Sequence, residues 1–559
     1  MLHTWQLFRL NNCFFECMQT EIASEMIDGG VASRGQVDHQ GSTLSVHEQV
    51  LSTPEDIFRK TLDLETREVR IESDVTLADY EAITPWDDLN GVIALGESLK
   101  GKRISWVNAT AAGGGVAIMR PPQIHLMRLL GVDARWYVTE PDEDAHKVTK
   151  KIHNILQNVA SSDSRVTDTD WEVYDRWTER NSDVLVSSLA SSDVVVCDDP
   201  QPSGLIPKLL EANPDIKIIF RDHIQSEGEL MSTPGTPQHD VWDRIWNTNR
   251  VRDAHLHVFH PVEAFVPENV PDETIAFMPA TTDLLDGLNR PLSLEEIDEG
   301  IAFFNERLHL NGEQLPLDPD RPRIIQIARF DPSKGIPWVL EAYAKFRSYL
   351  EDQGIPPEQT PQLIITGNGS IDDPDGEPIL AETMRLRSEK YEHLADDIKV
   401  ARVPHNDKAL NALLRTSWVA LQLSRKEGLE VKVSECQIMG VPVIASRAGG
   451  IPLQIVDGET GYLVAPGDTD AVADHLELLF LNRQTDVEMN RRIASIARTH
   501  NYEFTTVPNV LNWLYVSREL LENSNFSANR RLVRDMVRES THGHEYDIWS
   551  ERNSTSLFV

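Results

Sequence analysis

Two tandem doubly wound α/β domains facing a central cleft are the fold class that this sequence predicts. Three observations carry the prediction. From about residue 100, short apolar runs closed by Gly, Pro or Asp alternate with longer stretches of helical period, as in parallel strands joined by helices. The series stops at a polar, Pro-ending stretch over 283–322 and then begins again, which marks a linker between two domains. The length of 559 residues is too great for one compact core.

Taken in order, residues 1–80 read as a leader, partly disordered, because 19–60 are rich in Ser, Glu, Gln and Gly without periodicity. The first domain is assigned to 81–290, with strands expected at Arg103 to Val107, Ala134 to Val138, Asp193 to Cys197, Lys217 to Phe220 and His255 to Phe259. The second is assigned to 291–505, with strands expected at Arg323 to Ile327, Gln362 to Thr366, Ile398 to Val400, Val419 to Leu423, Val441 to Ser446 and Gly461 to Val464. Residues 506–559 are assigned to helices that cross back to the first domain and to a tail. Ligands of such sheets bind outside the carboxyl ends of the strands, so chemistry is sought in the loops that follow them.

Composition excludes several functions. Lys and Arg number 53 against 89 Asp and Glu, a formal charge of −36, so phosphate backbones and anionic lipid surfaces are repelled. No nucleic-acid partner and no membrane partner are expected, and no apolar run approaches the ~18 residues that span a bilayer. Four cysteines, Cys13, Cys17, Cys197 and Cys436, are too few and scattered for a disulfide framework, and the N-terminal run lacks a signal-peptide core. A cytoplasmic location follows from this reading.

Four motifs lie just after expected strands. In NATAAGGGVA, Gly113, Gly114 and Gly115 free the backbone to approach a ligand before a helix begins, although a bland tight turn fits the same letters. The run is not a G-x-G-x-x-G dinucleotide fingerprint. In RIIQIARFDPSKG, Arg329 and Lys334 can clamp a phosphate between a planar fork and a point charge, while two solvated surface cations is the plain alternative. In KEGLEVKVSE, Glu427 and Glu435 lie eight positions apart, as two acceptors for sugar hydroxyls or as ordinary first-turn acids of a helix. In AGGIPLQIVDGET, the backbone at Gly449, Gly450 and Ile451 offers N–H donors at a helix start. His223, two residues after Arg221, and His260 also follow strands, either as sugar contacts or as structural hydrogen-bonders.

In order and spacing these motifs resemble glycosyltransferase family 4, retaining enzymes of the GT-B fold. NATAAGGGVA, GVDARWYV, RDHIQSEG and ARFDPSKG are similar to its trehalose-forming branch, and STPGTPQHDVWD, FHPVEAFVP and EGLEVKVSE to fungal-type phosphorylases within it. The resemblance runs from about residue 80 to 525. It implies retaining glucosyl transfer: reversible phosphorolysis of α,α-trehalose to α-glucose 1-phosphate and glucose. The alternatives are a trehalose synthase using a nucleoside diphosphate glucose and, from another class, a non-catalytic sugar-phosphate sensor. It implies that Arg329 and Lys334 hold phosphate, that Glu427 holds hydroxyls of the transferred glucose, and that Gly114 and Gly115 let a loop of the first domain approach the reacting centre. It further implies that His223 with Arg221 contacts sugar and that Glu435 matches the acid that meets a nucleotide ribose. The expected partners are sugars and phosphate, with phosphate or a nucleoside diphosphate glucose as co-substrate and no metal or other cofactor; a homodimer is compatible with this reading. Many nucleotide-sugar members read E-G-F-G where Glu430 stands here, and a carboxylate there repels a diphosphate donor.

Overall fold

The computed structural model describes residues 58–111, 115–367, 376–404, 406–482, 496 and 500–542. All of them belong to one compact unit. It opens with an antiparallel hairpin, β1 (Phe58–Leu62) and β2 (Val69–Ser73), followed by the helix Leu77–Ile83, which a reciprocal Thr76–Asp79 capping box begins. These residues fall inside the stretch read as a leader. They are instead part of the first domain, because Val69, Val75 and Tyr80 are buried in its core.

The first domain carries β3 (Arg103–Asn108), β4 (Asp133–Val138), β5 (Val194–Asp198), β6 (Lys217–Arg221), β7 (Leu256–Phe259) and β8 (Ile275–Phe277). The second carries β9 (Arg323–Ile327), β10 (Gln362–Gly367), β11 (Ile398–Arg402), β12 (Val419–Gln422), β13 (Val443–Ser446) and β14 (Tyr462–Val464); β15 (Arg531–Leu532) follows near the end of the chain. The sheet orders are β15-β8-β7-β6-β5-β3-β4 and β11-β10-β9-β12-β13-β14, parallel throughout. Helices cover both faces, so the strands read as unbroken apolar runs. In β3, Trp106 packs into one core and Val107 into the opposite one; in β9, Ile324 and Ile325 divide in the same way.

The linker expectation changes. The stretch 283–322 contains the helix Leu294–Leu310, begun by a Ser293–Glu296 capping box, with Ile297, Phe304 and Leu308 buried on one stripe. Its acidic outer face hid that period. Residues 506–532 return to the first domain. The helix Thr506–Glu522 is buried from Thr506 to Ser517, and Trp513 meets Trp106 edge to face with centroids 5.9 Å apart. β15 then adds an edge strand beside β8, which the sequence reading also missed because each spans only two or three residues. Among the described residues, no helix is long and apolar enough to cross a membrane.

Candidate active site

In each sheet the connections leave in opposite directions from two neighbouring central strands: β3 and β5 in the first, β9 and β12 in the second. A crevice forms at the carboxyl ends of such pairs. The loops from these ends enclose a cavity of about 210 Å³ between the two domains. Its walls include His223 and Gly115 of the first domain and Arg329, Lys334, Glu427 and Glu430 of the second.

On the second domain, Lys334 sits in a tight turn after β9, and Glu427 and Glu430 sit in the loop after β12. The Lys334 ammonium donates to the Glu427 carboxylate and, at 2.6 Å, to Glu430 Oε2. Glu430 also caps the helix Val431–Ile438: its Oε1 accepts the Lys432 N–H at 3.2 Å. Burial raises the Glu427 pKa to about 7, with Lys334 opposing and Glu430 adding to the rise. Glu430 is pulled below the ordinary carboxylate value, because Lys334 and its hydrogen bonds outweigh the burial that works against ionisation. Lys334 is held above the ordinary lysine value; burial opposes its charge, and the two glutamates outweigh burial. The cluster thus keeps its cation and its helix cap ionised and places the most easily added proton on Glu427.

On the first domain, β5 ends in Asp198 and β6 in Arg221. Asp198 accepts from Arg120 Nη2 at 2.6 Å and from His223 Nε2 at 3.0 Å, which leaves His223 Nδ1 as the acceptor of that ring. Among the described residues Nδ1 has no partner and is buried. Burial first, and Arg221 next, lower the His223 pKa to about 4, so the ring is neutral near pH 7. Asp199 adopts a left-handed conformation, φ 68°, and its Oδ1 accepts the His223 N–H at 2.8 Å. That strained residue lines the cavity, and the sequence reading missed it.

The domains meet closely here. The Glu427 N–H donates to Gln225 Oε1 at 2.7 Å, Lys426 pairs with Glu227, and Lys150 Nζ lies 2.7 Å from Asp331 Oδ2. A Cβ on Gly428 would lie 2.2 Å from the His223 carbonyl oxygen. Gly115, by contrast, has nothing within 4 Å of its Cβ direction, so its freedom serves the cavity rather than packing. Gly114 lies outside the described residues.

Several residues expected to touch substrate are placed elsewhere. Arg221 lies behind the cavity wall, with Nη2 3.3 Å from His260 Nδ1, while His260 Nε2 reaches the His223 carbonyl at 3.0 Å. It therefore steadies the histidines from behind. Glu435 is 1% exposed, paired with Lys432 and accepting from Thr282 Oγ1 at 3.1 Å. Gly450 N–H donates to Gly428 O and Ile451 N–H to Ala448 O, each at 3.0 Å, so these two amides face the chain rather than an anion. Gly449, at φ 50°, lies so close that a Cβ would sit 1.5 Å from the Glu427 carbonyl oxygen. The glycine pair lets one loop lie on the other and so fixes Glu427. Among the described residues, no group of three or more His, Cys, Asp or Glu is placed to hold a metal ion.

Two families match the chain: trehalose synthase, N-terminal domain, over residues 106–267, and glycosyl transferases group 1 over residues 310–500. Trehalose phosphorylase of Pleurotus pulmonarius is 41% identical over 482 residues, covering 83% of this chain and 64% of that protein. The chain thus spans less than two thirds of that relative's length. Trehalose synthase of Thermococcus litoralis is 34% identical over 407 residues, covering 72% of this chain and 88% of that protein. Among solved structures, the sucrose-phosphate synthase of Thermosynechococcus elongatus shares the fold with a TM-score of 0.54 at 18% identity, over 76% of this chain and 100% of that one.

Proposed function

We infer the activity from membership: the chain belongs to glycosyltransferase family 4, with the GT-B fold and in the branch of trehalose phosphorylases and trehalose synthases. From that premise we propose that it catalyses the reversible phosphorolysis of α,α-trehalose to α-glucose 1-phosphate and glucose with retained configuration. One observation carries the choice of donor. The Glu430 carboxylate occupies the N-terminus of the helix Val431–Ile438 and shares Lys334 with Glu427. A nucleoside diphosphate brings a second phosphate to the same loops and meets that fixed anion; a single phosphate fits beside Arg329 and Lys334 without that clash.

In this reading, trehalose lies across the cavity with its reacting glucose on Glu427 and the other glucose toward His223. His223 Nδ1, the acceptor of a neutral ring, takes a hydrogen bond from a sugar hydroxyl, and no proton is transferred to it. Phosphate sits on Arg329 and Lys334, whose fixed charges stabilise it as it attacks the anomeric carbon. The C1–O bond to the departing glucose breaks while the C1–O bond to phosphate forms on the same face, through an oxocarbenium-like state. The proton of hydrogen phosphate passes to the departing oxygen, so atoms and charge balance without a protein nucleophile. Closure at Gly428 and His223 excludes water, the competing nucleophile.

The proposal includes no cofactor, small-molecule partners only, and a cytoplasmic site of action, in keeping with Cys197 and Cys436 being buried free thiols. The test is glucose release from trehalose with and without inorganic phosphate, run beside synthesis from glucose plus either α-glucose 1-phosphate or UDP-glucose. Phosphate-dependent release is the expected result. Turnover with UDP-glucose alone moves the function to trehalose synthase, the reading favoured by the 88% coverage of the Thermococcus enzyme. Silence in every arm, with sugar phosphate still bound, makes the protein a sensor.

A further inference from the structure

The helix Glu143–Leu156 belongs to the first domain, yet Thr149, Lys150 and His153 on it line the same cavity as Arg329 and Lys334 of the second. Spacings of three and four residues put Lys150 and His153 on one side of the helix beside Thr149. Val148, Ile152 and Ile155 turn inward to the apolar core, as a helix packed on a sheet requires. The polar stripe beside them is aimed instead at the loop after β9.

Lys150 is 7% exposed, and its Nζ lies 2.7 Å from Asp331 Oδ2. Asp331 is fixed in turn: its Oδ1 accepts from the Ser333 N–H at 2.8 Å and from the Ser333 hydroxyl at 2.6 Å. The same Oδ2 lies 3.6 Å from Arg329 Nη2. One carboxylate oxygen thus stands between a cation of each domain. His153 feels both, for burial, Lys150 and Arg329 together lower its pKa to about 3. A simple latch is a weak reason for this arrangement, because a buried ion pair roughly breaks even against apolar contact and Lys426–Glu227 already bridges the domains.

We propose that Lys150 is a third phosphate-binding cation, delivered by the first domain on closure, so that the phosphate subsite is complete only in the closed enzyme. The inference rests on the phosphorylase reading. Its consequence is selectivity for the nucleophile: a phosphate dianion gains from a third cation, whereas neutral water gains nothing.

The test uses the full chain with Lys150→Met and Lys150→Arg. Lys150→Met is expected to raise the KM for phosphate about 10- to 100-fold, the loss of one charge-assisted contact, with the KM for trehalose within about twofold. Lys150→Arg is expected to recover most of the difference. An unchanged phosphate KM, or equal rises in both KM values, overturns the proposal and leaves Lys150 as a latch. Calorimetric titration of inorganic phosphate into wild type and both variants separates this from failure of the phosphorylase reading. If wild type turns over no trehalose with phosphate, that reading fails; weaker phosphate binding by Lys150→Met still supports the subsite, and equal binding overturns it.

Discussion

Glu430 Oε2 accepts from Lys334 Nζ at 2.6 Å while the other oxygen of the same carboxylate caps the helix Val431–Ile438. The pairing joins the loop after β9 to the loop after β12 and sets the charge that any donor meets.

Removing that carboxylate changes which anions the site accepts. Glu430→Gly frees the Lys432 N–H and half of the Lys334 interaction. Inhibition of glucose release by UDP is expected to strengthen about tenfold or more in the variant, since one buried like-charge contact is worth at least that factor. The lost cap lowers the unfolding midpoint only slightly, by the equivalent of a few tenths of a kcal/mol, because glycine is itself tolerated at a helix N-cap. Identical UDP inhibition in both proteins removes Glu430 from donor selection.

Lys334 is the cation on which both glutamates converge. Lys334→Ala is expected to lower kcat/KM for phosphate about 100-fold or more, by analogy with the loss of one fixed donor to a developing oxyanion. Steady-state rates at varied phosphate give the value, and a variant close to wild type contradicts the assignment.

The two buried titrating groups give opposite pH dependences. Glu427 titrates near 7 in the fold against an ordinary 4.5, so between those values the folded chain holds a proton that the unfolded chain has lost, and stability falls as pH rises through the window. His223 titrates near 4 against 6.5, so there the unfolded chain holds the extra proton and stability rises with pH. Glu427→Gln removes the first effect. Its unfolding midpoint relative to wild type is expected to climb from pH 5 to pH 8, with a ceiling of roughly 3 kcal/mol from the size of the shift. A difference that stays flat across this range means that Glu427 ionises normally.

Gly428 is where the domains touch. Gly428→Ala places a methyl group 2.2 Å from the His223 carbonyl oxygen, which holds the cleft open. A fall in kcat of about 100-fold is expected with the unfolding midpoint within a few degrees of wild type, because misplacing reacting groups by about 1 Å costs that much while each core is untouched. Full activity in this variant means that catalysis does not need this approach.

The returning helix is tested by Trp513. Trp513→Ala opens a hole beside Trp106 and is expected to cost about 3–5 kcal/mol, measured by denaturant unfolding followed at the first domain. A cost below about 1 kcal/mol means that the helix is only loosely docked.

Local pattern determined much of this protein. The alternation of apolar runs and helical stretches marked eleven of the thirteen strands in the two parallel sheets, because strands buried on two faces must be continuously apolar. Strand-end loops also revealed Arg329, Lys334, Glu427 and His223, since a cation, acid or imidazole there needs a ligand or a partner. What the sequence could not order was distance across the fold. Glu435 and Arg221 have the same local signature as Glu427 and His223, yet Lys432 and His260 claim them, and the Gly449–Gly450 pair serves loop packing instead of an anion. Lys150 shows the converse: nothing in its own helix marks it for chemistry, although a polar stripe at helical spacing was there to be read. Its place at the cavity depends on a carboxylate of the other domain, 181 residues away in the chain and 2.7 Å away in the fold.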